Sequence, residues 1–425
     1  MKRTLRSFVW GAMLLTAFAC GKTNADPTPD PDPEPGHEPT PGIVGENLSK
    51  DGTSNCYVIT KDGDYYFDAT VKGNGAATEG LAAPEKMTPD SAALLWETAK
   101  GMISEVKFID GKITFKASSS NGNAVIAAYS ADKAIIWSWH VWFPEEEIKT
   151  DRTKTGYDLM NMNLGAMTST FGATPDVRPY GLLYQWGRKD PFTAAPTLTG
   201  DTKTTGAPVY GPDGNEVKFE YSLWSSVDAN TIEYSIANPT KCLSNYAQFT
   251  TCRDWLKASD SNDALWGNPS GYERDSENQY VNKGAKSYYD PCPVGYRVPP
   301  ADVFKSFTTS GGYTNDPSAF DVVDTNEDGV IDTQDYNYGW SFKMEKGSQF
   351  FPAAARYDGS YAQLMGSKSG LWGSYWGNTP AKSYSDAVTG FGFCVLAFMN
   401  ETSVSTSATA SASRADAYSV RCIKE

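Results

Sequence analysis

The chain has 425 residues, 40% of them hydrophobic, enough to build real cores and to fill two or three domains. A formal charge of -14 and a pI near 4.8 argue against a nucleic-acid partner, because binding a phosphate backbone needs basic patches that are not visible here. Aromatic residues make up 13% and glycine occurs 38 times, a mixture that reads as short strands joined by many turns; the two histidines, His37 and His140, lie in different regions, which speaks against a His-based triad or a multi-histidine zinc site.

The N-terminus sets the expected compartment. Lys2, Arg3 and Arg6 precede an apolar run from Phe8 to Phe18 that is too short to span a bilayer, so residues 1–19 read as a signal peptide. Ala17-Phe18-Ala19 satisfies the small-x-small rule of ordinary signal peptidase, while Ala19-Cys20-Gly21 resembles a lipoprotein lipobox. A cysteine placed directly after the cut favours lipidation of Cys20. Residues 20–42 are then the lipid anchor and an acidic, proline-rich linker, extended and solvated, with His37 as one of its solvated side chains. No later run is long enough to cross a membrane, so the expected membrane contact is through the lipid alone.

Residues 43–148 read as a small β-sandwich-like domain. Cys56–Ile59 and Asp64–Asp68 look like short strands, and Val106–Ile109 pairs with Lys112–Lys116 across Asp110-Gly111 as a hairpin. Along Ile135–Phe143 the alternation puts Trp137, Trp139, Val141 and Phe143 on one face and Ser138, His140 and Trp142 on the other, the pattern of a core strand. Pro144 and Glu145–Glu147 then mark a boundary, and residues 149–425 form a larger second domain.

That second domain contains a stiff corner, Asp290-Pro-Cys-Pro-Val-Gly-Tyr-Arg-Val-Pro299, in which two prolines bracket Cys292. Cys422 lies almost at the C-terminus, where a chain frays unless it is tied down, and a Cys292–Cys422 disulfide is the expected tie. The six cysteines beyond Cys20 allow fifteen connectivities in all. Cys242 and Cys252 are close enough in sequence to bridge a short loop, and Cys56 and Cys394 read as buried thiols.

The sharpest chemical signal is Asp324-Thr-Asn-Glu-Asp-Gly-Val-Ile-Asp-Thr-Gln-Asp335. Oxygen donors fall at loop positions 1, 3, 5, 9 and 12 as Asp324, Asn326, Asp328, Asp332 and Asp335. Gly329 stands at position 6, where the chain must turn, and Val330 offers its carbonyl at position 7. A ring of hard oxygens suits Ca²⁺, and the extended look of Phe320–Val323 points to a structural clip without flanking helices. No nucleophile elbow, Walker loop or His-Glu-x-x-His motif is present, and no carboxylate pair stands out as a glycosidase pair.

Tyr184-Gln-Trp-Gly-Arg-Lys-Asp-Pro-Phe192, Leu265-Trp-Gly267, the Asp290–Pro299 corner, Phe351-Pro-Ala-Ala-Ala-Arg356, Ser374-Tyr-Trp-Gly-Asn378 and Val420-Arg-Cys-Ile423 occur in an order that resembles the Fibrobacter succinogenes major paralogous domain, a family of surface lipoproteins of Bacteroidetes and Fibrobacteres. The resemblance implies a β-rich α+β fold in which the small β-sandwich-like domain precedes a C-type lectin-like domain. In such domains an early cysteine pairs with one on the last strand, which matches Cys292 and Cys422, and Asp302–Thr308 would be the short helix of the unit. It also implies a non-catalytic outer-membrane lipoprotein at the cell surface, with the periplasmic face as the alternative, serving adhesion or binding of a glycan or protein ligand. A fimbria-associated accessory or tip subunit with a fimbrial partner is a second reading, and an envelope carbohydrate-active enzyme a third. The sugar-binding tripeptides of calcium-dependent lectins are missing, which leaves Trp372, Tyr375 and Trp376 as candidates for stacking on a ligand if exposed, although Gly-rich Trp motifs in a domain of this type are more often packing.

Overall fold

A computed structural model describes residues 42–199, 202–222, 230–245, 254–271, 273, 276, 283–312, 319–382, 388–396 and 405–425. The signal peptide, Cys20, His37 and Cys252 lie outside these residues. The described chain is mostly β-strand with very few helices, as expected from its β-branched and aromatic runs broken by turn residues.

The first sheet is four-stranded, in the order Glu46–Asn47, Gly63–Asp68, Lys112–Ala117, Ile103–Ile109. Its hairpin turns at Asp110 and Gly111, whose φ angles of 47° and 80° are the left-handed pair that a two-residue turn between twisted strands requires. The second sheet is six-stranded, in the order Glu216–Val217, Val209–Tyr210, Ser91–Glu97, Gly122–Tyr129, Ile135–Phe143, Cys56–Val58. Ile135–Phe143 follows the predicted alternation. Trp137, Trp139, Val141 and Phe143 fill one core with Tyr65, Phe67 and Phe115 of the first sheet. Trp142 points the other way, into a second core with Met160, Leu164, Leu182, Tyr184 and Trp186.

This second sheet is therefore a middle layer, covered on both faces, and packing is continuous across residue 148. Tyr210 pairs with Glu97, adding a strand from beyond that position to the sheet that precedes it. Gly42–Glu425 forms one compact unit by its internal contacts.

Beyond it, Trp372–Lys382, Val388–Leu396, Ser405–Ser413, Ala417–Ser419, Leu182–Gln185 and Pro191–Thr193 build the main path of an eight-stranded sheet. A smaller sheet runs in the order Tyr296–Arg297, Ile423–Lys424, Asp158–Met160, Thr150–Arg152. In it Leu159 and Arg297 both pair with Ile423, so the C-terminus is held between two segments distant in sequence. After Pro299-Pro300, Ala301–Phe307 forms a buried 3-10 helix where the short helix was expected. A hairpin of Gly339–Lys343 and Ser348–Pro352 completes this region.

Candidate functional site

Loop 324–335 is rooted on that last hairpin. Val322 bridges Phe342 and the Val323 amide donates to the Ser341 carbonyl on one side. On the other, the Tyr336 hydroxyl donates to the Gly370 carbonyl at 2.8 Å and its ring packs edge-on against Trp340 at 4.9 Å. Ile331 rests on the core below, while Val330 is 57% exposed at the outer turn.

The loop curls around its own side chains. Asp324 Oδ2 accepts the Gly329 amide at 2.7 Å, Asn326 Oδ1 the Asp328 amide at 3.1 Å, Asp328 Oδ1 the Val330 amide at 2.8 Å and Asp332 Oδ1 the Gln334 amide at 2.7 Å. Gly329 has φ 83°, which a side chain would strain, so the glycine at this position is required by the turn. Asp335 closes the loop, taking the Thr325 amide and hydroxyl on Oδ1 and the Asp332 amide on Oδ2. Burial works to raise the Asp335 pKa, but these donors outweigh it and hold the carboxyl below its usual range.

All six predicted positions thus belong to one continuous turn. Among the described residues no group of three or more His, Cys, Asp or Glu side chains is drawn together at one point as a metal centre. Several carboxylates instead spend one oxygen on a loop amide, and Asp324 Oδ1 is buried with no hydrogen-bond partner. A buried carboxylate oxygen without a donor is costly, and a hard cation is the kind of group that would satisfy it. The donor set fits calcium in kind.

The stacking candidates divide. Tyr375 and Trp376 are fully buried, which removes them as ligand-stacking candidates and leaves the packing reading for both. The Tyr375 hydroxyl donates to the Pro352 carbonyl at 2.6 Å and its ring meets Phe351 edge-on. Trp376 stacks on Tyr418 at 4.1 Å and donates to the Tyr184 carbonyl. As neighbours in the strand Trp372–Lys382 the two rings point to opposite faces, and a strand covered on both sides exposes neither. Trp372, at the strand's start, is half-buried, with the Arg356 guanidinium 4.4 Å over its ring.

Cys292 and Cys422 form a disulfide across a sequence separation of 130. Cys242 is a free, fully buried thiol, pushed up to about 12 by burial, so it is not bridged as expected; its proposed partner Cys252 lies outside the described residues. It sits in a short strand within a core of Leu183, Phe192 and Tyr357, where packing alone accounts for it. Cys56 is likewise free and buried, and the side chain of Cys394 is not among those described.

The sequence reading missed the role of Lys286 and Asp290. Asp290 accepts the amides of Cys292 and Val298, each at 2.8 Å, and the Lys286 ammonium at 2.9 Å. Lys286 also donates to the carbonyls of Cys292 and Tyr296. From the N-terminal side, Ser54 donates to the Cys292 carbonyl and Asn55 to those of Tyr288 and Asp290. The i,i+4 spacing of Lys286 and Asp290 was a signal, but only the fold shows both buried. His140 is buried as well, donating from Nε2 to Asn123 Oδ1 at 2.8 Å, and burial lowers its pKa to about 3.

No helix among the described residues is long and apolar enough to cross a membrane. No family model, curated protein or solved structure matches the chain.

Proposed function

We propose that the protein is a non-catalytic cell-envelope lipoprotein, anchored through Cys20 to the outer membrane and displaying a lectin-like module, residues 149–425, for adhesion or binding of a ligand such as a glycan. The observation that carries this reading is the Cys292–Cys422 disulfide. Such a cross-link belongs to an oxidising compartment, in keeping with the signal peptide and lipobox. The pairing of Leu159 and Arg297 with Ile423 draws the two ends of the region together, which agrees with a lectin-like unit and with the Fibrobacter succinogenes major paralogous domain as its family.

Loop 324–335 is the structural calcium clip of this module in our reading. Asp324, Asn326, Asp328, Asp332 and Asp335 would hold the ion with the Val330 carbonyl, and the cation would offset repulsion among crowded carboxylates. Extracellular sites of this kind bind at about 10⁻⁴ to 10⁻³ M, so external calcium would load it. Of the three aromatic candidates, Trp372 is the one left to meet a ligand.

Palmitate labelling of cells followed by protease shaving tests the anchor and its display. The label is expected on the wild type and lost in Cys20→Ala, and external protease acting on intact cells is expected to release the folded unit Gly42–Glu425. Absence of label, with full protection in intact cells, sinks the reading.

A further inference from the structure

The first two sheets end at one groove. Glu46–Asn47 is the edge of the four-stranded sheet and Cys56–Val58 the edge of the six-stranded sheet. Both line an open groove of about 640 Å³, walled on its other sides by Pro144–Ile148 and by the Pro293–Tyr296 corner. Its floor is apolar. Leu48, Val58, Ile148, Val294 and Tyr296 fringe the two cores and are each only partly covered.

The backbone along this edge is also turned toward the groove. His140 donates to the Asn55 carbonyl and Ile59 to the Trp142 carbonyl, so in this parallel ladder Asn55, Tyr57 and Ile59 face the sheet. Cys56, Val58 and Thr60 then face away from it. Cys56 is taken up by its bridge to Pro293, which leaves the amide and carbonyl of Val58 directed into the groove. An edge strand with outward amide and carbonyl groups beside a half-covered apolar floor is the geometry on which an added strand docks.

Charge narrows the occupant. Glu46 is matched by Lys50 and Lys61, Glu145 by Arg178 and Glu147 by Lys149. Asp51 and Glu146 line the same groove, are exposed, and have no ion-pair partner among the described residues; Glu146 accepts only the Ser169 amide and hydroxyl. A second copy of this chain would bring a further charge of -14 to these carboxylates, and a polyanion would meet the same repulsion.

We infer that this groove takes an extended peptide segment of a partner protein, added as a further strand beside Val58, with apolar side chains on the floor and Lys or Arg opposite Asp51 and Glu146. The groove draws on no residue of loop 324–335.

The test is fluorescence anisotropy on the full chain with a labelled nonapeptide of alternating Val and Thr carrying Lys at both ends, against the same peptide with Glu at both ends. The Lys peptide is expected to bind at least tenfold more tightly. Val58→Pro deletes the outward amide and keeps the ladder bonds of Tyr57 and Ile59, so a tenfold loss is expected with the melting temperature little changed. Asp51→Lys with Glu146→Lys, both on the surface, is expected to reverse the preference between the two peptides. No binding of either peptide up to millimolar concentration, equal binding of both, or indifference to both sets of substitutions overturns the inference. Sedimentation that finds a dimer dissolved by Val58→Pro would give the groove to a second copy and overturn it as well.

Discussion

Asp290 shows how much one side chain can organise. Its carboxylate ties the amides on either side of the corner to a buried ammonium, and all of these groups are out of water. Asp290→Ala leaves the Lys286 charge buried without its counter-ion, a change that costs about 3–5 kcal/mol; chemical denaturation should find a lower midpoint by that measure, and an unchanged midpoint would contradict it. Two other buried groups set a pH signature. Burial raises Asp416 from 3.8 to about 6 even though Arg356 and the Gly359 amide work against it. The native state therefore binds the extra proton, and this contribution to stability is complete below pH 3.8 and lost as pH rises through 6. His140, lowered from 6.5 to about 3 by burial, has the opposite sign: its contribution is present above pH 6.5 and lost as pH falls through 3. At about 1.4 kcal/mol per unit, each is worth up to a few kcal/mol, and between pH 3.8 and 6 they oppose. Asp416→Asn should steepen the loss of stability on acidification and His140→Gln should flatten it, measured by thermal melts across that window; parallel profiles for both variants and the wild type would refute the assignment.

At the scale of elements, short-range patterns carried over best. The Asp110-Gly111 hairpin and the two faces of Ile135–Phe143 could be read directly because a turn type and a period of two are local properties. The loop 324–335 was legible for the same reason, since its donors and glycine follow one another in register. With calcium, the loop should gain stability: millimolar Ca²⁺ is expected to raise the melting temperature of the wild type and to leave Asp324→Ala unmoved, with Mg²⁺ much weaker because it demands tighter octahedral geometry. An equal shift in both proteins would show that the ion acts elsewhere. For Tyr375 and Trp376 the sequence left stacking and packing both open, because an aromatic beside glycines looks the same in an exposed loop and in a covered strand; the partners that decide for packing are distant, Phe351 and Pro352 for Tyr375, Tyr184 and Tyr418 for Trp376.

For the molecule as a whole, the disulfide and the small C-terminal sheet act together. The bridge spans a sequence separation of 130, which by the chain-entropy model is worth about 5 kcal/mol. Reduction should therefore lower the melting temperature by several degrees and speed proteolysis near the C-terminus; the double variant Cys292→Ser with Cys422→Ser should reproduce the effect without reductant. No change under reduction would mean that the buried Arg421, held by Asn163 and stacked 3.8 Å from Phe351, secures the terminus alone.

By itself the sequence determined the β-rich character, the hairpin, the two-faced tryptophan strand, the turn at 324–335 and the stiff corner whose cysteine needed a distant partner. Each depends on residues within a few positions of one another, where backbone sterics and side-chain alternation decide. Only the tertiary structure decided that packing runs unbroken across residue 148, that Cys242 is an unbridged core thiol, that Tyr375 and Trp376 are covered, and that two sheet edges meet at one groove. Those outcomes depend on which distant segments exclude water from a given face, and burial of that kind has no local signature.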